Sequence, residues 1–127
     1  MRVWTRCCCA QGPGRNNGGP GLMDLRRLDT LITEDVQVLK NDVEGFELQV
    51  LQGAESLLAK HRVQYILAEC NTAIGGADNQ IQYLQWFDSH GYRVSGRGFK
   101  GPFLSQQDIP AGTAKVDALN LYAVRQA

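Results

Sequence analysis

The sequence carries no excess of either charge, since 13 lysines and arginines are matched by 13 aspartates and glutamates. Without a net field, nothing steers the chain onto nucleic acid or an anionic membrane surface. It also lacks any apolar run approaching the roughly 20 residues that a membrane helix requires. Cysteine is scarce and its spacing unstructured: Cys7, Cys8, Cys9 and Cys70 match neither a zinc site nor a secreted disulfide framework. No metal site is expected, and a reducing, cytoplasmic setting fits. The two histidines, His61 and His90, each follow a helical stretch, where the helix dipole favours a cation. Neither can be placed beside Cys70, which therefore reads as a small core residue rather than a nucleophile. No internal repeat is visible. These absences leave a small molecule as the expected partner.

What is present begins at a composition change near Gly21. Residues 1–21 hold five glycines, two prolines and two asparagines and few apolar side chains, too few to offset the entropy of ordering them. They read as a disordered arm, with residues 22–127 as one domain able to bury about two-thirds of its unfolded surface. Arg2, Arg6 and Arg15, with no acid before Asp24, give the arm a likeness to an organelle transit peptide, but serine and a clear amphipathic helix are missing. Its glycines lack the flanking strand and helix that a nucleotide loop needs.

The domain is organised around Val36 to Lys60. An apolar, strand-like run (Val36, Val38, Leu39) ends at Lys40-Asn41-Asp42, turns through Val43-Glu44-Gly45, and enters a helix. Phe46, Val50, Leu51, Ala54, Leu57 and Leu58 recur there with helical spacing. Gly53 inside that helix would cost about 1 kcal/mol unless it permits close helix-to-strand packing. A buried strand follows at Val63 to Cys70, and a strand-helix-strand unit implies parallel strands whose carboxyl ends share one edge. Asp42 and Glu69 then stand where ligands bind in such sheets.

The run LKNDVEGFELQVLQGAESLL resembles the signature of the FkbM family of S-adenosylmethionine-dependent methyltransferases. Its usual form is Leu-Lys-Ile-Asp-Val-Glu-Gly, a variable residue, Glu, and a helix with Leu-x-Gly-Ala; Asn41 is the departure. The likeness extends from Leu28 to about Arg125, resting on pattern more than motif outside Val36 to Cys70. It implies an α/β fold, the C-terminal half of a doubly wound, Rossmann-like sheet with an antiparallel last strand. It also implies methyl transfer to a hydroxyl of a small molecule or sugar. Asp42, and less strongly Glu44, would face the cofactor. Glu69 and Lys40 are the candidates to take the acceptor's proton. Glu47 is assigned only to complementing the helix N-terminus.

In such enzymes a first strand, a glycine-rich loop and an acid after the second strand also hold the cofactor. Those parts would need about 70 residues ahead of Val36 at 30 or more per strand-helix-strand unit, and 35 are present. The chain alone is therefore expected to bind S-adenosylmethionine weakly or not at all. The rival reading is a non-catalytic remnant or interaction module. A phosphoacceptor module is a further alternative, but beyond Asp42 it finds only Glu69 as a second strand-end acid. Truncation would leave the strand 36–42 at a sheet edge, so self-association or a partner chain is expected there.

After Cys70 the sequence predicts a glycine-containing loop (Asn71 to Ala77) and a helix from Asp78 or Asn79 to His90-Gly91, turning Ile81, Leu84 and Phe87 inward. Strands at Tyr92 to Ser95 and Leu119 to Arg125 complete the sheet. The long segment between them, Gly96 to Thr113, reads as a lid.

Overall fold

A computed structural model describes residues 26–43, 45–70 and 72–127. The expected disordered arm, the targeting reading of it and Glu44 lie outside the described residues. The elements run α1 (Leu28–Leu31), β1 (Val36–Asn41), α2 (Glu47–Gln52), α3 (Glu55–Lys60), β2 (Val63–Glu69), α4 (Thr72–Ser89), β3 (Tyr92–Ser95), α5 (Asp108–Ala111) and β4 (Asn120–Arg125). The strands form one mixed sheet in the order β1-β2-β4-β3. β1 and β2 are parallel, with Val36 opposite Val63 and Asn41 opposite Ala68, and β4 runs antiparallel to both its neighbours. The α/β class, the parallel pair and the antiparallel last strand are thus as the sequence implies.

Strand alternation gives the sheet two unlike faces. Leu39, Ile66, Ala68, Val94, Leu121 and Ala123 point to one side and are buried under Leu51, Leu57, Leu58, Leu84 and Phe87 of the helices. Tyr92 joins that core, and its hydroxyl donates to Val63 O at 2.7 Å. The other face carries Val38, Tyr65, Leu67, Tyr122 and Val124, all of them partly or largely exposed.

The segment read as a lid is packed across that second face. Phe99 sits between Tyr65 and Tyr122, with ring centroids 5.1 Å from each, and the Arg93 guanidinium lies 4.3 Å from the Phe103 ring centre. Leu104 N–H donates to Val94 O at 2.8 Å, and buried Ser95 Oγ accepts from Arg97 N–H at 3.0 Å. The aromatic content of the loop, rather than its glycines, decides its behaviour.

The expected single helix after Asp42 is two. It breaks at Gly53, whose carbonyl accepts from Asp29 N–H at 3.2 Å, while the Asp29 carboxylate accepts from Ser56 N–H at 3.3 Å in the first turn of α3. A Cβ at Gly53 would lie 3.3 Å from Val50 O and 3.8 Å from Arg27 Cα. The close approach is therefore to the chain leading into α1, not to a strand. Phe46, expected on the apolar face, precedes α2 and is 45% exposed. Helix α4 begins at Thr72, so a short helical turn takes the place of most of the expected loop Asn71 to Ala77, and after the kink at Gly76 (φ 74°) the continuous helix starts close to the expected residue. Ile81 is half-buried, while Tyr83, Leu84, Trp86 and Phe87 form the buried surface.

Candidate functional site

The carboxyl ends of β1 and β2 bring the sequence-predicted residues to one edge. Lys40 and Asp42 lie two apart, on the same side of the pleat, and form an ion pair of 3.2 Å with both side chains nearly half exposed. With Lys40 opposite Leu67 and Asn41 opposite Ala68, the register carries Asp42 to the position beside Glu69. Glu69 is half-buried and opposite Asn120 of β4. The edge thus presents two carboxylates and one ammonium around adjacent strand ends.

Glu47 has a larger part than complementing a helix. It is 7% exposed, and its carboxylate accepts from Val43 N–H at 3.2 Å and from Gly45 N–H at 3.0 and 3.2 Å. One buried carboxylate therefore fixes the turn that follows Asp42. Gly45 adopts φ 104°, a conformation that favours glycine, so the Val-Glu-Gly turn and its buried acid act together. The sequence held a signal for this: Glu47, Leu51, Ala54 and Leu58 share one helical face, which puts an acid on the apolar side.

Behind the turn lies a buried polar cluster that sequence reasoning missed. Asn41, 2% exposed, donates through Nδ2 to Glu47 O at 2.9 Å and to the Tyr83 hydroxyl at 3.5 Å. Its Oδ1 is buried without a hydrogen-bond partner among the described residues. Gln80 Nε2 donates to Val116 O at 2.9 Å and lies 3.7 Å from Cys70 Sγ. Burial raises the Cys70 thiol and, further, the Tyr83 hydroxyl, so both stay protonated. The narrow cleft among Glu47, Cys70, Gln80 and Tyr83 has room for about one water molecule.

The histidines stand apart from this edge. His90 stacks on Trp86 with centroids 3.9 Å apart, and its Nε2 lies 2.9 Å from Glu55 Oε2. Trp86 Nε1 donates to the same carboxylate at 3.1 Å, tying α3 to α4. His61 is 3.7 Å from Asp35. Among the described residues, no three histidine, cysteine or acidic side chains could hold a metal ion, and no helix is long and apolar enough to cross a membrane.

A family model of the methyltransferase FkbM domain matches residues 13–94, more than half of the chain. The chain belongs to the FkbM methyltransferase family. The match includes β1, the Asp42 turn, α2, α3, β2 and α4, and so holds every residue of the strand-end edge. No curated protein and no solved structure matches the chain. Membership implies use of S-adenosylmethionine. The exposed carboxylates suit that cofactor's cationic methionyl end, while the adjoining cleft is too narrow for its adenosyl group.

Proposed function

We propose that this chain is an FkbM-type, S-adenosylmethionine-dependent O-methyltransferase domain acting on a hydroxyl of a small molecule or sugar. The observation that supports the reading is the parallel register of β1 and β2, which ends with Asn41 opposite Ala68 just before Asp42 and Glu69, with Lys40 paired to Asp42. When bound, the cofactor supplies an electrophilic methyl group beside a cationic sulfur. Asp42, with Glu44 in the following turn, is assigned to that cationic end, where a close charge pair contributes a few kcal/mol at an effective dielectric near 20. Lys40 orients Asp42 through its ion pair. Glu69, one strand over, is assigned to hold the proton of the acceptor hydroxyl.

The cleft beside the turn has room for about one water molecule, so weak binding is expected of this chain by itself. Calorimetric titration with S-adenosylmethionine tests the reading. Affinity should fall short of the low micromolar range, and Asp42→Asn should weaken it further, whereas Asp117→Asn on the exposed segment before β4 should not. Equal effects of the two substitutions would return Asp42 to the role of a surface charge. Among the described residues nothing pairs with the outer edge of β1, which favours one second reading, an interaction module without turnover.

A further inference from the structure

The register of the sheet arranges its second face in rows. Side chains at alternate strand positions share a face, so Glu69 continues the line of Tyr65 and Leu67, and Asn120 leads the line of Tyr122 and Val124. Across the strands, Glu69 lies opposite Asn120, Leu67 opposite Tyr122 and Tyr65 opposite Val124. One step outward, Cys70 N–H donates to Leu119 O at 2.7 Å. Antiparallel pairs alternate between those that exchange backbone hydrogen bonds and those that do not, and Cys70–Leu119 is of the first kind. Glu69–Asn120 and Leu67–Tyr122 are then of the second, in which side chains stand closest. Directly opposed side chains have Cβ atoms about 4.5 to 5.5 Å apart. A half-buried carboxylate and an exposed amide therefore sit side by side at the strand-end edge, with a Leu–Tyr pair immediately inward of them. Phe99, 5.1 Å from the ring centres of both Tyr65 and Tyr122, stands at the inner end of that pair.

We infer that Asn120 is a specificity-determining residue for the acceptor, reading a second hydroxyl on the carbon next to the one that Glu69 serves. The inference rests on the assignment of Glu69 to the reacting hydroxyl. An ionised carboxylate only accepts hydrogen bonds, whereas the asparagine amide both donates and accepts. The reacting hydroxyl satisfies the carboxylate by donating its proton to it. The amide suits a different hydroxyl, because a proton donated to the reacting oxygen would draw on the electrons that must form the new bond. That neighbouring hydroxyl accepts from Nδ2 and donates to Oδ1 at once. Side chains this close serve hydroxyls on adjacent carbons rather than distant ones. Inward of them, Leu67 and Tyr122 offer apolar contact to the carbon skeleton over a depth of two strand residues, about 7 Å, before Phe99. That depth suits a single ring. The acceptor class is thus a saturated ring with hydroxyls on adjacent carbons, as in a pyranoside.

An NMR titration of the isotope-labelled chain with no cofactor present tests this. It compares methyl glucopyranoside, which carries adjacent hydroxyls, with cyclohexanol, a ring of the same size with one. The glucoside should shift the Asn120 side-chain amide and the backbone amides of Glu69 and Tyr122. It should bind about tenfold more tightly than cyclohexanol, the worth of one or two hydrogen bonds. Asn120→Leu should erase that preference with circular dichroism unchanged, since Asn120 is exposed, while Asp117→Asn should keep it. Equal binding of the two probes by wild type would overturn the inference. So would an absence of glucoside binding, shifts confined to other residues, or a preference that survives Asn120→Leu. Because no cofactor enters the titration, a failure here leaves the assignment of Asp42 standing, and a failure of cofactor binding leaves the diol preference to be measured.

Discussion

Two buried side chains decide how the Asp42 turn is held. Glu47 receives the Val43 and Gly45 amides, and hydrogen bonds to a charged acceptor contribute about 1.5 to 3 kcal/mol. Glu47→Ala should therefore cost about 2 kcal/mol in urea unfolding. Asn41 works the other way, because its Oδ1 has no partner among the described residues and an unsatisfied buried acceptor costs about 1 to 3 kcal/mol. Asn41→Val, which removes that atom and suits a strand, should raise stability by about 1 kcal/mol. A loss would show that the two bonds made by Nδ2 outweigh the stranded oxygen. The Cys70 thiol, raised by burial, should react with a disulfide reagent only on unfolding. At this scale Glu47 was misjudged: read only as complementing the helix N-terminus, it is buried, and its place four residues before Leu51 on the apolar face was the signal passed over. Tyr83 and Gln80 were not legible, because their bonds go to Asn41 and Val116, partners that only the tertiary fold brings near.

Strand positions were legible because β2 and β4 are apolar runs bounded by polar residues. The helix after Asp42 was misjudged because its break depends on Asp29, distant in sequence, which bonds both Gly53 and Ser56. The loop of residues 96–104 was read from glycine and proline, but Phe99 binds it to Tyr65 and Tyr122. Arg97 and Lys100 should therefore resist limited trypsin digestion, and Phe99→Ala should expose them while costing about 1 to 2 kcal/mol, below the full-core range. The clasp between α3 and α4 carries a pH dependence. The bond to His90 holds the Glu55 carboxyl below its ordinary value of 4.5, with further help from Trp86 and against the cost of desolvation. A carboxylate lowered in the folded state stabilises the fold above the unfolded value, and that contribution fades as pH falls through the folded one. Unfolding midpoints should drop on acidification below about pH 4.5, and Glu55→Gln should flatten that limb without altering the neutral-to-alkaline one.

For the molecule as a whole, the sheet explains why a methyltransferase signature sits where it does. Parallel β1 and β2 bring their carboxyl ends together, and the turn fixed by Glu47 follows directly from the acid that the family signature supplies. The most direct test is an NMR titration of the labelled chain with S-adenosylmethionine, which detects weak binding and locates it. The account predicts amide shifts concentrated at Asp42, Val43, Gly45, Glu69 and Cys70 that grow without saturating in the low micromolar range. Shifts confined to other residues, or saturation at low micromolar cofactor, equivalent to roughly 8 kcal/mol of binding, would contradict it.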